Sequence, residues 1–237
     1  MRRWLLPAVV MGLGLVAGAV AVYVAPSLQR HPMPTESMVP TLPVGSWPVA
    51  REIAGDQVRR GDIAVFSLGV WPDARPGDAD RSMIKRVIAV GGDTVSADAT
   101  GVISVNGKRV VEEYAKPDPM FSPFTVQLGH DEVFVAGDNR ANSRDSRVYA
   151  TTPHHGGVPL SAITAVVVRV DDKPLIPTAA FTSAGLEGSP NSDEPDWSGS
   201  ILIGAGLVFL AGSAWLTFAL VRDKRRNRHS TAQSTVA

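Results

Sequence analysis

Met83-Ile84-Lys85-Arg86-Val87-Ile88-Ala89-Val90 is a run rich in β-branched residues that holds two basic side chains. Written as a strand, it puts Met83, Lys85, Val87 and Ala89 on one face and Ile84, Arg86, Ile88 and Val90 on the other. Lys85 therefore stands among apolar side chains. If that face is core, desolvation disfavours the ammonium form and draws the pKa from about 10.4 towards neutrality, where a free amine can accept a proton. Periodicity alone leaves open a lysine whose stem packs while its charge reaches water.

Similar pieces flank this run: Trp47 to Ile53, Asp62 to Ser67, Val102 to Val105, Arg109 to Tyr114, Val133 to Val135 and Ile163 to Val170. They are rich in Val and Ile and separated by Gly, Pro and Asp, as short strands are. Asn106-Gly107 is a strong hairpin signal, because both central turn positions need positive φ. The fold class expected is mainly β, an antiparallel β domain flanked by two transmembrane helices. No sustained helical periodicity occurs between those helices. The charged residues Asp73 to Arg81 read as a surface loop, and Trp71-Pro72 as a half-buried aromatic turn rather than a membrane-touching one.

Basic and acidic residues number 23 each, so nothing global points to nucleic acid. Cysteine is absent, which removes disulfides, thiolate metal sites and cysteine nucleophiles, a sortase-like transpeptidase included. His154-His155 lacks a second ligand pair at metal spacing, and no G-x-S-x-G elbow supports a Ser-His-Asp triad. No metal and no cofactor are expected.

Trp4 to Ala25 carries no charge and follows Arg2-Arg3; Ile201 to Val221 carries none and precedes Arg222-Asp223-Lys224-Arg225-Arg226-Asn227-Arg228. Each is about the 20 residues that cross a hydrocarbon core, and the first exceeds the roughly 7–15 residues of a cleaved signal's apolar region. Basic flanks stay on the cytoplasmic side. The expected order is a cytoplasmic N-terminus (1–3), a first span (4–26), an extracytoplasmic β domain (27–172), a flexible Pro/Ser/Gly-rich linker (173–199), a second span (200–221) and a basic cytoplasmic tail (222–237). The expected location is the plasma membrane, multi-pass with both termini cytoplasmic.

Ser37 lies about ten residues beyond the first span, a reach of at most roughly 35 Å. It stands in Ser37-Met38-Val39-Pro40-Thr41-Leu42. With Gly61-Asp62-Ile63-Ala64-Val65-Phe66, Lys85-Arg86-Val87-Ile88-Ala89-Val90-Gly91-Gly92-Asp93 and Gly137-Asp138-Asn139-Arg140-Ala141-Asn142-Ser143-Arg144-Asp145-Ser146-Arg147, this segment gives four motifs in order over roughly residues 1 to 170. The chain resembles the bacterial type I signal peptidases, membrane-bound Ser/Lys proteases that remove signal peptides from exported preproteins. Gly91 departs from the proline often found there, and Glu36 directly precedes the serine. The short stretch from Asp93 to Val133 implies the compact form of the fold.

The resemblance implies Ser37 as nucleophile and Lys85 as general base. It implies Ser143 as a hydrogen-bond partner orienting the lysine amine, and Asp145 with Arg147 as an ion pair shaping the loop. Thr35 would join the Ser37 N–H in an oxyanion hole, and Met38 would contribute to a pocket for small side chains, as A-x-A cleavage sites require. The implied partners are secretory preproteins with signal peptides, the lipid bilayer and a nearby export translocon, with no nucleic acid. Two other readings are a Ser/Lys protease dedicated to one surface substrate and a non-enzymatic, membrane-anchored β binding module.

Overall fold

The computed structural model describes residues 5–24, 27–118, 122–193 and 198–234. The chain divides into a β unit, Ser27–Asp193, and a helical unit drawn from its two ends. Residues 1–4, 25–26, 194–197 and 235–237 lie outside the described residues, and with them the expected N-terminal segment and parts of the expected first span, linker and tail.

The helical unit contains α1 (Leu5–Val24). The strands of the β unit follow: β1 (Leu28–Arg30), β2 (Pro48–Glu52), β3 (Ile63–Ser67), β4 (Ser82–Ala89), β5 (Thr94–Ala97), β6 (Ile103–Val105), β7 (Lys108–Arg109), β8 (Phe124–Gln127), β9 (Glu132–Ala136), β10 (Val158–Pro159), β11 (Ile163–Val170) and β12 (Lys173–Pro174). The larger sheet runs β1-β2-β11-β3-β4-β9-β10, with β12 on β11, and the smaller runs β7-β6-β5-β8; all these pairs are antiparallel.

β4 is central because both of its faces are apolar. Ile84 packs with Met38, Ile63 and Val65; Val87 packs with Phe66, Trp71 and Val135; Ile88 packs with Val95, Val126 and Phe134. One strand thus joins three parts of the core, and each fully buried Val or Ile contributes about 1.5–3 kcal/mol. Asn106 (φ 53°) and Gly107 (φ 74°) make the β6–β7 turn that their sequence predicts. Trp71 is buried, its ring stacked on Tyr149 and its Nε1–H directed at Met83 Sδ.

The expected strand from Arg109 to Tyr114 stops at Arg109. Beyond Val110, whose N–H still donates to Ile103 O, the chain turns to serve buried cations. Glu112 accepts two hydrogen bonds from Arg140 and one from Tyr114 Oη, and the Arg86 guanidinium lies 4.0 Å from the Tyr114 ring centre. Pairing a buried charge outweighs local β propensity.

The flexible linker expected from residue 173 is instead ordered and packed as far as Asp193. A short helix, α2 (Ala180–Ser183), buries Phe181 completely against the core around Ile88 and Val95. Leu186 is buried beside it, Asn191 donates to the Asp62 carboxylate through both N and Nδ2, and Arg169 pairs with Asp193. The Pro/Ser/Gly content hides two apolar anchors, and their burial offsets the ordering entropy of the segment.

In the helical unit, α1 packs against α3 (Ser198–Ser234). Met11 meets Gly212, Gly14 meets Phe209 and Gly18 meets Ala205, so the helices run antiparallel. A Cβ on Gly14 would come within 2.9 Å of Phe209 N, and one on Gly212 within 2.9 Å of Met11 N. Glycine is what permits this backbone approach. Among the described residues, one stretch, Ile201–Arg222, is long and apolar enough to cross a membrane; the apolar part of α1, Leu5–Ala21, is shorter. α3 continues as helix to Ser234, into the residues expected to form the basic tail. Extension adds one hydrogen bond per residue once the span has nucleated the helix.

Phe181→Ala should cost about 3–5 kcal/mol in urea unfolding of the detergent-solubilised chain. A flexible linker residue would shift stability by less than about 0.5 kcal/mol, and that result would refute the packed assignment.

Candidate active site

Ser37 sits in a 3₁₀ turn, Glu36–Met38, entered from extended Thr35. Two neighbouring segments hold that turn. The residues leading into it are fastened by His31 N to Pro48 O, Met33 N to Ser46 O and Gly45 N to Met33 O. From the other side, Asn139 N donates to the Ser37 carbonyl at 3.0 Å.

Lys85, held in register opposite Ala64 on β3, brings its Nζ to 2.9 Å from Ser37 Oγ and 3.0 Å from Ile84 O. The two side chains are 48 residues apart in sequence, and both are buried. Thr35 Oγ1 lies 3.2 Å from Ser37 Oγ. Burial pulls the Lys85 pKa down from 10.5 to about 8, against the opposing pull of the Asp145 and Asp138 charges. About one lysine in ten is then neutral at pH 7, against roughly one in several thousand for a lysine in water.

Those two aspartates are already engaged. Asp138 receives Arg86 Nε at 2.8 Å and Nη2 at 2.7 Å, in a pair whose members are 4% and 0% exposed. Thr41 Oγ–H also donates to Asp138. Asp145 accepts Arg147 Nε and Nη2, both at 2.9 Å, and the Gly137 N–H at 2.9 Å. Neither carboxylate gives Lys85 a direct ionic partner. The Arg86–Asp138 pair lay unassigned in the sequence, although both residues stand in quoted motifs. Its signal was Arg86, a cation in an apolar strand; Asp138 stands in a polar loop where a charge is ordinary.

Two residues sit differently from expectation. Ser143 Oγ is buried and has no hydrogen-bond partner among the described residues, rather than holding the lysine amine. Its loop packs it against Gly137, where an added Cβ would lie 2.2 Å from Ser143 Oγ and 2.5 Å from Ser37 O. Met38 is fully buried in the core with Leu42, Ile63 and Ile84, so it offers a substrate no surface. Facing Ser37 and Lys85 is instead a cleft of about 460 Å³ whose lining includes Met33, Pro34, Leu68, Met83 and Ile84. Sequence reasoning missed these because cleft walls come from segments distant in the chain. His31 also borders the cleft; its Nε2 is buried without a partner among the described residues, and burial lowers its pKa.

β4 carries a further feature at this cleft. It pairs with β3 from Ser82 to Arg86, whereas β9 reaches it only from Arg86 onwards. The other backbone edge of residues 82–85 therefore has no strand partner among the described residues. Among those residues, too, no cluster of His, Cys, Asp and Glu could hold a metal ion.

A family model described as signal peptidase, peptidase S26, matches residues 1–170. A probable signal peptidase I-1 from Synechocystis sp. is 36% identical over 125 residues, covering 51% of this chain and 62% of the relative. A signal peptidase I from Leptolyngbya laminosa is 33% identical over 123 residues, covering 51% of this chain and 60% of the relative. The chain thus spans about 60% of the length of these two relatives. A solved signal peptidase I from Enterococcus faecalis aligns with a TM-score of 0.35 and 25% identity over 46% of this chain and 95% of its own. With the family match running through the serine turn, the lysine strand and the 137–147 loop, the chain belongs to the signal peptidase family, peptidase S26.

Proposed function

We propose that the protein is a membrane-bound serine endopeptidase that removes signal peptides from exported preproteins with a Ser37/Lys85 dyad. The observation that carries this reading is a serine hydroxyl 2.9 Å from a lysine amine that burial brings to a pKa of about 8. A hydroxyl is a weak nucleophile until a base removes its proton, and a neutral amine at hydrogen-bond distance is such a base.

In the proposed cycle, Ser37 Oγ attacks the scissile carbonyl while Lys85 takes its proton. The tetrahedral intermediate collapses as the lysinium protonates the leaving amine, which is the new N-terminus of the mature protein. Water then attacks the acyl-enzyme with Lys85 again as base, and Ser37 is regenerated. The Ser37 N–H lies in the first turn of a 3₁₀ helix, where donors have no intrahelical partner, and the Thr35 hydroxyl lies beside it. These two groups form the proposed oxyanion hole. Asp145 and Arg147 fix the loop, and Ser143 serves as packing against Gly137.

Substrate would add as a strand to the open edge of residues 82–85, with its small side chains towards Met33 and Ile84. That geometry suits the A-x-A pattern of signal-peptide cleavage sites. Both helices expose apolar side chains such as Leu6, Leu13, Ile203 and Leu207, which a bilayer would cover. Their antiparallel packing supports two spans with both termini on one side, and the basic flanks make that side cytoplasmic. The β unit then lies extracytoplasmically, where preproteins emerge from the export translocon.

The decisive test is cleavage of a preprotein with an A-x-A site by the detergent-solubilised chain. Wild type should cut at that site, and Ser37→Ala and Lys85→Met should not. Because the base works only when neutral, kcat/KM should climb about tenfold per unit from pH 6 to 7 and level off above a midpoint near 8. A profile flat from pH 6 to 9 would remove Lys85 from the mechanism.

Thr35→Val should lower kcat by about 10²–10³ while leaving the unfolding midpoint nearly unchanged, as loss of one oxyanion donor does. Equal turnover in the variant would exclude that donor.

The same lysine makes a stability prediction of opposite sign. Its folded pKa lies below its unfolded one, so the unfolded chain holds more protons between about pH 8 and 10.5. The penalty for burying it is full below pH 8 and fades as pH rises towards 10.5. Lys85→Met should therefore stabilise the inactive protein by up to about 3 kcal/mol at pH 7, with a smaller gain at pH 10, in urea unfolding at both pH values. Destabilisation at pH 7 would contradict a lysine held against its charge.

A further inference from the structure

The segment that follows β12 is fastened to the back of the catalytic strand. Pro190, Thr178 and Phe181 close over Gly61 so tightly that a Cβ there would lie 2.7 Å from Pro190 Cγ and 3.0 Å from Thr178 Cγ2. On either side of Gly61, Arg60 Nη1 donates to Glu187 O at 2.8 Å, and the Asp62 carboxylate accepts Asn191 N at 2.6 Å and Asn191 Nδ2 at 2.7 Å. The turn at residues 59–62 is therefore gripped at three successive residues by a strap that follows the last strand.

That turn is in turn bonded to β4 next to Lys85. Gly61 N donates to Val87 O and Val87 N to Asp62 O, both at 2.8 Å, while Gly61 O accepts Arg86 Nη1 at 2.9 Å. The rest of the Arg86 guanidinium is the bidentate partner of Asp138, whose neighbour Asn139 holds the Ser37 carbonyl. The side-chain links at Gly61 O and Asp138 are buried hydrogen bonds, and those from Asn191 to Asp62 are partly buried. The chain of contacts runs from Asn191 to both members of the dyad, reaching Lys85 through the strand and Ser37 through Asp138 and its loop.

We infer that the strap of residues 178–191 is a positioning element for catalysis, holding the Gly61 turn and Arg86 so that Lys85 and Ser37 keep their alignment. It rests on the reading of Ser37 and Lys85 as the dyad. Asn191 touches neither reacting group, so it acts as a positioning residue through Asp62 and Gly61. A strap that served only to lead the chain towards α3 would have no reason to close on this turn. Loosening it should weaken the grip of Arg86 on Asp138 and strengthen the pull of that carboxylate on the Lys85 ammonium, raising the Lys85 pKa.

The test compares wild type, Asn191→Ala and Asn191→Gln as full-length chains in detergent. The first readout needs no substrate: competitive acetylation of the Lys85 amine by acetic anhydride, followed by peptide mass spectrometry from pH 6 to 11. Asn191→Ala should move the labelling midpoint up by about half a unit or more, towards the value of a solvated lysine. Asn191→Gln, which restores an amide donor, should return it towards wild type. The second readout is preprotein cleavage, where Asn191→Ala should lower kcat about fivefold or more at pH 7 with KM unchanged. A folded Asn191→Ala with the wild-type labelling midpoint overturns the inference, whatever its activity. If kcat falls only in proportion to the unfolded fraction, the strap is merely structural and the inference also fails. Should Asn191→Ala not fold at assay temperature, Thr178→Ser, which removes only the methyl against Gly61 and keeps the hydroxyl that accepts from Ala180 N, decides by the same two readouts. A wild type that cleaves no preprotein refutes the proposed activity, and the labelling midpoints still decide the role of the strap.

Discussion

The constraint on which the structure turns is a buried amine, Lys85 Nζ, held beside a serine hydroxyl in a fold whose buried carboxylates favour its charged form. A carboxylate within about 4–6 Å would restore the ammonium form of Lys85, and Asp145 and Asp138 both push that way. The fold answers by giving each aspartate an arginine, a cation that cannot release its proton. Arg86 occupies both oxygens of Asp138 from the opposite face of Lys85's own strand, and Arg147 occupies both oxygens of Asp145. Adjacent basic residues in one strand thus take opposite roles. Strand alternation is what separates them, sending Arg86 to a carboxylate and leaving Lys85 with a serine hydroxyl and a carbonyl oxygen.

The arginines do more than neutralise. Removing one partner of a buried pair leaves an uncompensated charge, at a typical cost of about 3–5 kcal/mol, so each pair fixes its surroundings. Arg86 connects β4 to Gly61 O and to the 137–147 loop; Arg147 connects that loop to Arg140 O; Arg140 connects it to Glu112. The chain after Arg109 leaves its strand to supply Glu112 and Tyr114 to this network. Electrostatic insulation of the lysine and the local irregularity of the small sheet therefore have a common cause.

This explains what could and could not be read from the sequence. The strands at 48–52, 63–67, 82–89 and 163–170 and the Asn106-Gly107 turn follow from β-branched runs and a positive-φ pair, both local signals. The short strands 94–97, 124–127 and 158–159 were missed because so few residues carry little periodicity and, unlike 103–105 beside Asn106-Gly107, they adjoin no hairpin signal that was read. Composition misjudged residues 173–193 for a related reason: Phe181 and Leu186 are only two apolar residues, but both find a preformed core. In the site, the serine and lysine were legible as motifs. Met38 was not, since a residue beside Ser37 can point into the cleft or away from it, and here it points into the core.

Ser143 shows where motif and geometry part. Its hydroxyl is unpartnered among the described residues while its side chain fills the space above Gly137. No side chain fits at Gly137, because the Ser37 carbonyl lies on the same side at a distance only a hydrogen can share. The loop consequently holds Ser37 itself through the main chain: Gly137 N is spent on Asp145, and Asn139 N is spent on Ser37 O. A main-chain contact of this kind cannot swing away by rotamer change, as a side-chain contact can. The position of Ser37 is thus set by peptide groups and that of Lys85 by strand register.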